Sequence, residues 1–170
     1  MSDVAAGAAL SMGGLYRYFA DKEGLFEALI GDLHEQLFAA SSSGGHDFAR
    51  EPYEALLSAN RGYLAVYAEN RDVMRAFIEA ANVDDRFRAV WWQMRARHVE
   101  RFAAAVRTAC GITAVDGLDV VLVTEAMACM VEQCAFVWYA HAGHHQGAVD
   151  LDEAARIVTT AWYRTIFNGR

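Results

Sequence analysis

Proline occurs only once in this chain of 170 residues, at Pro52. Because proline removes a backbone donor and clashes with the preceding helical turn, its absence elsewhere permits long uninterrupted helices. Hydrophobic residues make up 55% of the chain, enough for a full core in one domain with a small helical appendage. The sequence therefore predicts an all-α protein and disfavours a loop-rich β architecture.

Three helices are predicted near the N-terminus. Ser2 or Asp3 can cap the first, Ser11 can cap the second, and Asp21 can cap the third. The short break between the first two is the spacing of a helix-turn-helix. The predicted ranges are residues 2–8, 12–19 and 22–40.

Five further helices are predicted after a connection, residues 41–50, that contains the low-complexity sequence SSSGG. Pro52 lies in the first turn of the next helix, where its missing amide costs nothing, and Asp84 or Asp85 can cap the third of the five. The predicted ranges are about residues 51–70, 72–81, 85–109, 118–142 and 152–167. We therefore expect a helix-turn-helix segment with its connecting helix over residues 1–40, a helical bundle over residues 51–170, and about eight helices in all.

The charge of the chain weighs against nucleic acid binding. The formal net charge is −7, and residues 1–36 contain only Arg17 and Lys22 against six acidic side chains. Because phosphate contacts normally need a basic surface, this balance favours an alternative class, a helical ligand-binding or interaction dimer that does not bind DNA.

The three cysteines, Cys110, Cys129 and Cys134, lie in apolar stretches without C-x-x-C spacing. They disfavour a disulfide framework or a zinc site and are interpreted as buried thiols in a reducing cytoplasm. The first ten residues lack the basic region and apolar core of a secretory signal. We therefore expect a cytoplasmic protein.

The longest apolar run, residues 118–142, is interrupted by polar side chains that a membrane span would have to bury. We therefore predict a helix buried in protein, without a membrane. The interrupting residues are Asp119, Glu125, Glu132 and Gln133.

Sites for metals and catalysis find little support. His141, His144 and His145 lack the spacing of a helical ligand pair, and no cysteine or carboxylate nearby completes a set. Gly-rich phosphate loops, G-x-S-x-G and H-E-x-x-H are all missing from the sequence. We predict no cofactor and no enzymatic activity, although a helical enzyme that uses Glu125 or a histidine stays open as a third class.

A dense motif occupies the sixteen positions from Leu10 to Leu25, where LSMGGLYRYF is followed after two residues by KEGL. Leu15, Phe19 and Leu25 are spaced to pack inward, and the glycine pair permits close approach to a DNA backbone. This motif resembles the second, third and fourth helices of the TetR (tetracycline repressor) family over residues 4–30. The remaining chain is similar to the family only in the number, lengths and order of its helices.

The resemblance implies a set of DNA-contacting residues around the second helix. Arg17 is the only side chain in that helix able to make a bidentate contact with guanine. Taken alone, Tyr16 and Tyr18 could instead be core aromatics of a helical hairpin. The implied residues are Ser11, Met12, Gly13, Gly14, Tyr16, Arg17, Tyr18 and Lys22.

Two departures from the family pattern carry expectations. Ala9 stands where the family usually has glycine, so the turn should be strained. The family's basic first helix has no counterpart before Ser2. We hypothesise that Met1 is not the natural start, which the mass of the native N-terminus would test.

The resemblance further implies a homodimeric repressor, paired through about residues 118–142 and 152–167, that a small apolar effector releases from its operator. The effector would occupy a cavity within the bundle, where aromatic and thioether side chains suit an apolar ligand. The candidate pocket residues are Tyr63, Tyr67, Met74, Phe77, Trp91, Met94, Glu125, Met127 and Met130.

Two features of the bundle carry separate predictions. Adjacent helical residues point about 100° apart, so either Trp91 or Trp92 must leave the main core face, for a pocket or a subunit contact. Glu125 and Glu132, seven residues apart, share one face of an apolar helix. Such carboxylates need partners, either an arginine such as Arg156 or Arg164, which we favour, or a polar group of a ligand.

Overall fold

The computed structural model describes residues 1–141 and 149–167. It divides the chain into two compact units, Met1–Glu35 and Gln36–Arg170. The described helices are α1 (Ser2–Gly7), α2 (Met12–Tyr16), α3 (Lys22–Ala40), α4 (Pro52–Glu69), α5 (Arg71–Val83), α6 (Asp85–Cys110), α7 (Val120–Ala135) and α8 (Leu151–Phe167). A π-helical turn, Phe136–Ala140, continues α7. The predicted all-α fold of about eight helices is confirmed.

The helix starts follow the predicted capping chemistry in three places. Ser11, Asp21 and Asp84 each accept a hydrogen bond from a backbone amide two or three residues later, at 3.0, 2.8 and 2.9 Å respectively. These bonds satisfy amides that would otherwise lack partners in the first helical turn. The cap predicted for α1 at Ser2 or Asp3 is wrong, because Met1 precedes that helix and no side chain caps it.

A small antiparallel hairpin precedes α7, and the sequence did not predict it. Its strands are β1 (Ala114–Val115) and β2 (Leu118–Asp119). Asp116 and Gly117 join them with φ values of +50° and +79°, the backbone of a tight turn that favours Asp-Gly. The predicted start of α7 at residue 118 is therefore wrong by two residues, and the Asp119 carboxylate caps the helix at its actual start.

The second unit is a helical bundle in which α4 packs along α8, and α6 packs against both α5 and α7. A buried hydrogen bond of 3.0 Å, from Asn60 Nδ2 on α4 to Thr159 Oγ1 on α8, fixes the first of these pairs. The core around it is apolar, as the helical periodicity of the sequence requires. Its largest fully buried side chains include Leu37, Leu56, Leu64, Tyr67, Phe77, Val106, Val120 and Val158.

The apolar helical stretch Val120–Ala140 is long and hydrophobic enough to cross a membrane by length and composition alone. Only 28% of its most apolar window is buried inside the chain, so the predicted burial holds for a minority of its residues. The three cysteines, predicted to be buried, are likewise only half-buried. The exposure of this stretch, with Cys129 and Cys134 on it, arises because α7 covers α6 with one side and leaves another side open. Cys110 lies at the end of α6 instead.

Candidate DNA-binding segment and bundle cavity

The first unit contains a tight turn between α1 and α2. Ala9 lies in this turn with a φ of +54°, and the Leu10 amide closes it by donating to the carbonyl oxygen of Ala5 at 2.9 Å. An L-residue at positive φ brings its Cβ close to the backbone. The strain predicted for this position is therefore present.

The side chains around α2 separate into an inner and an outer set. Leu15 is buried, whereas Tyr16 is 48% and Tyr18 71% exposed. The alternative interpretation of these tyrosines as core aromatics is therefore wrong for this structure. Of the eight residues implied to contact DNA, seven are exposed and Gly14 is half-buried.

The exposed surface of this segment has little positive charge. Arg17 and Lys22 are both exposed, and the nearby Asp21 carboxylate accepts the amide of Gly24. A capping carboxylate of this kind is held at the start of α3, close to Lys22 in the sequence. Of the side chains in this segment implied to contact DNA, only Arg17 and Lys22 carry a positive charge that could attract phosphate, and of these only Arg17 has the geometry for a bidentate base contact.

The second unit contains a partly open cavity of about 360 Å³. Its lining residues come from the end of α3, the connection that follows it, and α4 to α8. Most of the wall is aliphatic or aromatic, including Leu37, Phe48, Leu56, Val99, Phe102, Val131 and Trp162. This volume and composition are within the range of small-molecule sites in proteins.

One polar cluster in the wall joins α6 to α7. Arg95 donates to Glu132 at 2.6 and 3.1 Å, and the indole Nε1 of Trp91 donates to the other carboxylate oxygen. The Arg95 guanidinium also stacks 4.7 Å from the Trp91 ring and 5.1 Å from the ring of Trp92. Burial alone would lower the pKa of Arg95, but the Glu132 carboxylate outweighs it and raises that pKa. The Glu132 charge is thus balanced inside the protein.

A second polar group in the wall, Arg101 of α6, holds the end of α3. Its guanidinium donates to the carbonyl oxygen of Phe38 at 2.6 Å, and at 2.5 Å to both the carbonyl and hydroxyl oxygens of Ser41. It also lies 3.7 Å from the centre of the Phe38 ring, as does the guanidinium of Arg97. Burial, followed by the charge of Arg97, lowers the pKa of Arg101.

The tyrosines beside the cavity are shielded from water. Burial, assisted by the negative charge of Glu132, raises the pKa of Tyr63 well above its usual value and does the same to Tyr67. The two rings lie 6.0 Å apart, and Tyr63 also packs edge-on against His98. Both phenols therefore stay neutral near physiological pH.

Residues 1–29 match the family described as bacterial regulatory proteins, tetR family. The N-terminal segment of the chain is therefore similar to the N-terminal segment of TetR-family regulators. The match covers the segment in which the Leu10–Leu25 motif lies, and it stops before the helical bundle. A comparison with curated proteins found no match.

The predicted pocket residues of the bundle fall into two groups. Tyr63, Met74, Trp91 and Met94 line the cavity. The other five belong to α4, α5 and α7 but are outside the lining: Tyr67, Phe77, Glu125, Met127 and Met130. Tyr67 and Phe77 are core residues instead, with no exposed surface.

The tryptophan pair behaves as its spacing predicted. Trp91 lines the cavity and Trp92 is half-exposed. The partner predicted for Glu132 is wrong, because Arg95 of α6 binds it and both Arg156 and Arg164 are exposed on α8. The error has a geometric cause, since α7 packs its Glu132 face against α6.

The sequence analysis did not predict several polar residues that line the cavity, above all Asn60, Arg95, His98 and Arg101. The sequence could have predicted Arg95 and His98, because they follow Trp91 at spacings of four and three and so share one face of α6 with it. Of the histidines considered as metal ligands, His141 is exposed, and His144 and His145 lie outside the described residues. Among described residues, no cluster of three metal-ligating side chains is present.

Proposed function

We propose that this protein is a regulator of the TetR type, a ligand-responsive repressor that a small, mostly apolar effector releases from its operator. The observation that carries the proposal is the continuity of α3. This helix begins at Lys22, inside the matched segment, and its Leu37 and the following serines line the cavity. A ligand that alters the end of α3 would thus act on the same helix that begins beside the DNA-binding motif.

Release requires that the effector binds one conformation more tightly than another. In the DNA-bound conformation, two α2 helices would reach half-sites about one helical turn apart. An effector that favours another spacing would weaken DNA binding without touching DNA. The implied contacts are made by Ser11 to Gly14, Tyr16, Arg17, Tyr18 and Lys22, with Arg17 reading a guanine.

The open side of α7 supports a homodimer. Leu122 on α7 is 65% exposed and Ile157 on α8 is 51% exposed. Apolar side chains concentrated on two adjacent helices are typical of a subunit interface. Pairing of α7 and α8 with their copies would cover them and supply the two-fold symmetry that a palindromic operator needs. We expect a cytoplasmic protein that uses no cofactor, has no enzymatic activity and stays off the membrane.

The test is a salt-titrated mobility shift of the chain on DNA from upstream of its own gene. We expect specific binding that weakens as salt rises, because phosphate contacts release counterions. Arg17→Ala should reduce specific binding by about tenfold or more, since a bidentate guanine contact contributes about 1–3 kcal/mol. Arg50→Ala, an exposed arginine of the second unit, is the matched control and should bind normally.

The acidic first unit favours a second candidate, a helical ligand-binding dimer that does not bind DNA. An absence of specific binding by both the parent chain and the Arg50→Ala control, with dimers still present in solution, would establish that candidate. Equal binding by the parent and the Arg17→Ala variant would refute the assigned role of Arg17.

A further inference from the structure

The charges that line the cavity do not cancel. Among its described lining residues, Arg95 and Arg101 are positive and Glu132 is negative, which leaves one excess positive charge. Arg95 and Glu132 neutralise each other in an ion pair whose side chains are only 14% and 16% exposed. The uncompensated charge therefore belongs to Arg101.

Arg101 has no carboxylate partner among the described residues. Its three hydrogen bonds all go to neutral oxygens, and the ring of Phe38 adds a cation–π contact. Besides burial, the charge that lowers the pKa of Arg101 is that of another cation, Arg97. A half-buried guanidinium in an apolar wall is more stable when an anion balances it.

The donors of Arg101 are not all used. A guanidinium has five N–H donors, and the three bonds to Phe38 and Ser41 leave donors for a further partner. Ser42 and Ser43, with hydroxyl groups able to donate to an oxygen, follow Ser41 in the sequence and also line the cavity. The lining thus combines one cation that lacks a carboxylate partner with small hydroxyl side chains in a mostly apolar wall.

We propose that the cavity binds a small amphipathic carboxylate, whose anionic group pairs with Arg101 and whose apolar body lies against Phe102, Met94, Val131 and Trp162. This inference rests on the proposed ligand response and specifies the chemical class of the effector. Guanidinium groups match carboxylates in a planar geometry, and such charge-assisted bonds are about twice as strong as neutral ones.

The cavity volume limits the size of this acid. At about 30 Å³ for each water in the liquid, 360 Å³ corresponds to on the order of a dozen water-sized groups. Octanoate and 4-phenylbutyrate are of this size. Acetate is too small to fill the apolar part of the cavity.

Binding at Arg101 would also affect α3. The same guanidinium holds the carbonyl oxygens of Phe38 and Ser41 at the end of that helix. A carboxylate bound through the remaining donors would attract the same guanidinium, and any shift of the guanidinium toward the acid would weaken its hydrogen bonds to those carbonyl oxygens. The acid would therefore be linked to the conformation of the α3 end, with no contact to the first unit required.

The test compares octanoate with octanamide, a neutral analogue of the same length, by calorimetric titration of the full chain. We expect octanoate to bind about tenfold more tightly, as charge-assisted hydrogen bonds imply. Arg101→Met should abolish that preference, and Arg101→Lys, which keeps the charge, should retain part of it. Arg97→Gln is the matched control, because Arg97 contacts the same Phe38 ring but is outside the cavity lining.

Equal binding of octanoate and octanamide by the parent chain would overturn the proposal, as would a preference that survives in Arg101→Met. Failure of both probes to bind would overturn it as well. If neutral apolar compounds alone then release operator DNA, the ligand-responsive repressor would be supported and only the carboxylate effector would be refuted. Octanoate that binds through Arg101 without releasing DNA would instead support the site and refute the ligand-responsive repressor.

Discussion

Arg95 on α6 and Glu132 on α7 form an ion pair with 2.6 Å between Nη2 and Oε2, and Trp91 donates to the same carboxylate. The pair joins two helices across the wall of the cavity. Removing one partner would leave the other charge poorly solvated, whereas removing both would leave an apolar contact.

We expect Arg95→Met and Glu132→Leu each to lower the free energy of unfolding by about 3 kcal/mol. The double variant should recover much of that loss. Urea unfolding at neutral pH measures all three. The exposed pair Arg61–Asp152, also 2.6 Å apart but 53% and 67% exposed, is the control and should contribute less than about 1 kcal/mol. A double variant as unstable as the sum of the singles would contradict this account.

Gly62 allows α4 to pass close to the end of α3. A Cβ at Gly62 would lie 2.0 Å from the carbonyl oxygen of Ala40, a backbone atom. Gly62→Ala should therefore destabilise the second unit by about 1–3 kcal/mol through overpacking. Gly31→Ala, in an exposed helical position with open space around it, should instead stabilise by up to about 1 kcal/mol. The same sign for both substitutions in urea unfolding would refute the close approach.

Glycine at position 9 should stabilise the turn before α2. Because Ala9 has a φ of +54°, Ala9→Gly should relieve strain and stabilise the turn by about 1 kcal/mol. Ala8 has a φ of −88°, so Ala8→Gly should only add unfolded-state entropy and destabilise the turn. Hydrogen exchange of the Leu10 amide, which closes the turn, measures both. Faster exchange in Ala9→Gly would show that the strain is absent.

Alkaline pH should destabilise the bundle through Tyr63 and Tyr67. Burial raises the pKa of both phenols above the unfolded value of about 10. The unfolded chain then loses protons that the folded chain keeps, so stability is full below about pH 10 and falls above it. Each buried tyrosine contributes a slope of up to about 1.4 kcal/mol per pH unit.

Urea unfolding between about pH 8 and pH 11 measures that slope. Tyr67→Phe should make it shallower, since one of the two phenols is removed. Tyr18→Phe replaces an exposed tyrosine and should leave it unchanged. An identical slope in the parent and Tyr67→Phe would refute the role of burial.

If the proposed dimer forms, its stability should depend strongly on two exposed apolar residues. Leu122→Glu and Ile157→Glu place charges on the open sides of α7 and α8, and each should shift dimers to monomers. Val83→Glu changes an even more exposed valine at the end of α5 and should leave the dimer intact. Sedimentation velocity distinguishes these outcomes. Monomers in the parent chain, or dimers in all three variants, would exclude this interface.

Local chemistry made parts of the molecule predictable. The caps at Ser11, Asp21 and Asp84 were readable because a cap and the amide it binds lie within three residues. The hairpin at residues 114–119 was missed, although its Asp-Gly turn was a signal, because strands of two residues are too short to show alternation. The Glu132 partner was missed because Arg95 is 37 residues away in the chain.

The sequence by itself determined the all-α class, most helix boundaries and the TetR-type motif, because helix periodicity, capping and motif spacing act over a few neighbouring residues. Only the tertiary structure decided which carboxylate meets which arginine and which four of the nine candidate pocket residues reach the cavity. Among the lining residues that the structure describes, it also left Arg101 as the cation without a carboxylate partner. These features depend on the rotation of each helix about its axis, which packing against distant helices fixes and local sequence does not.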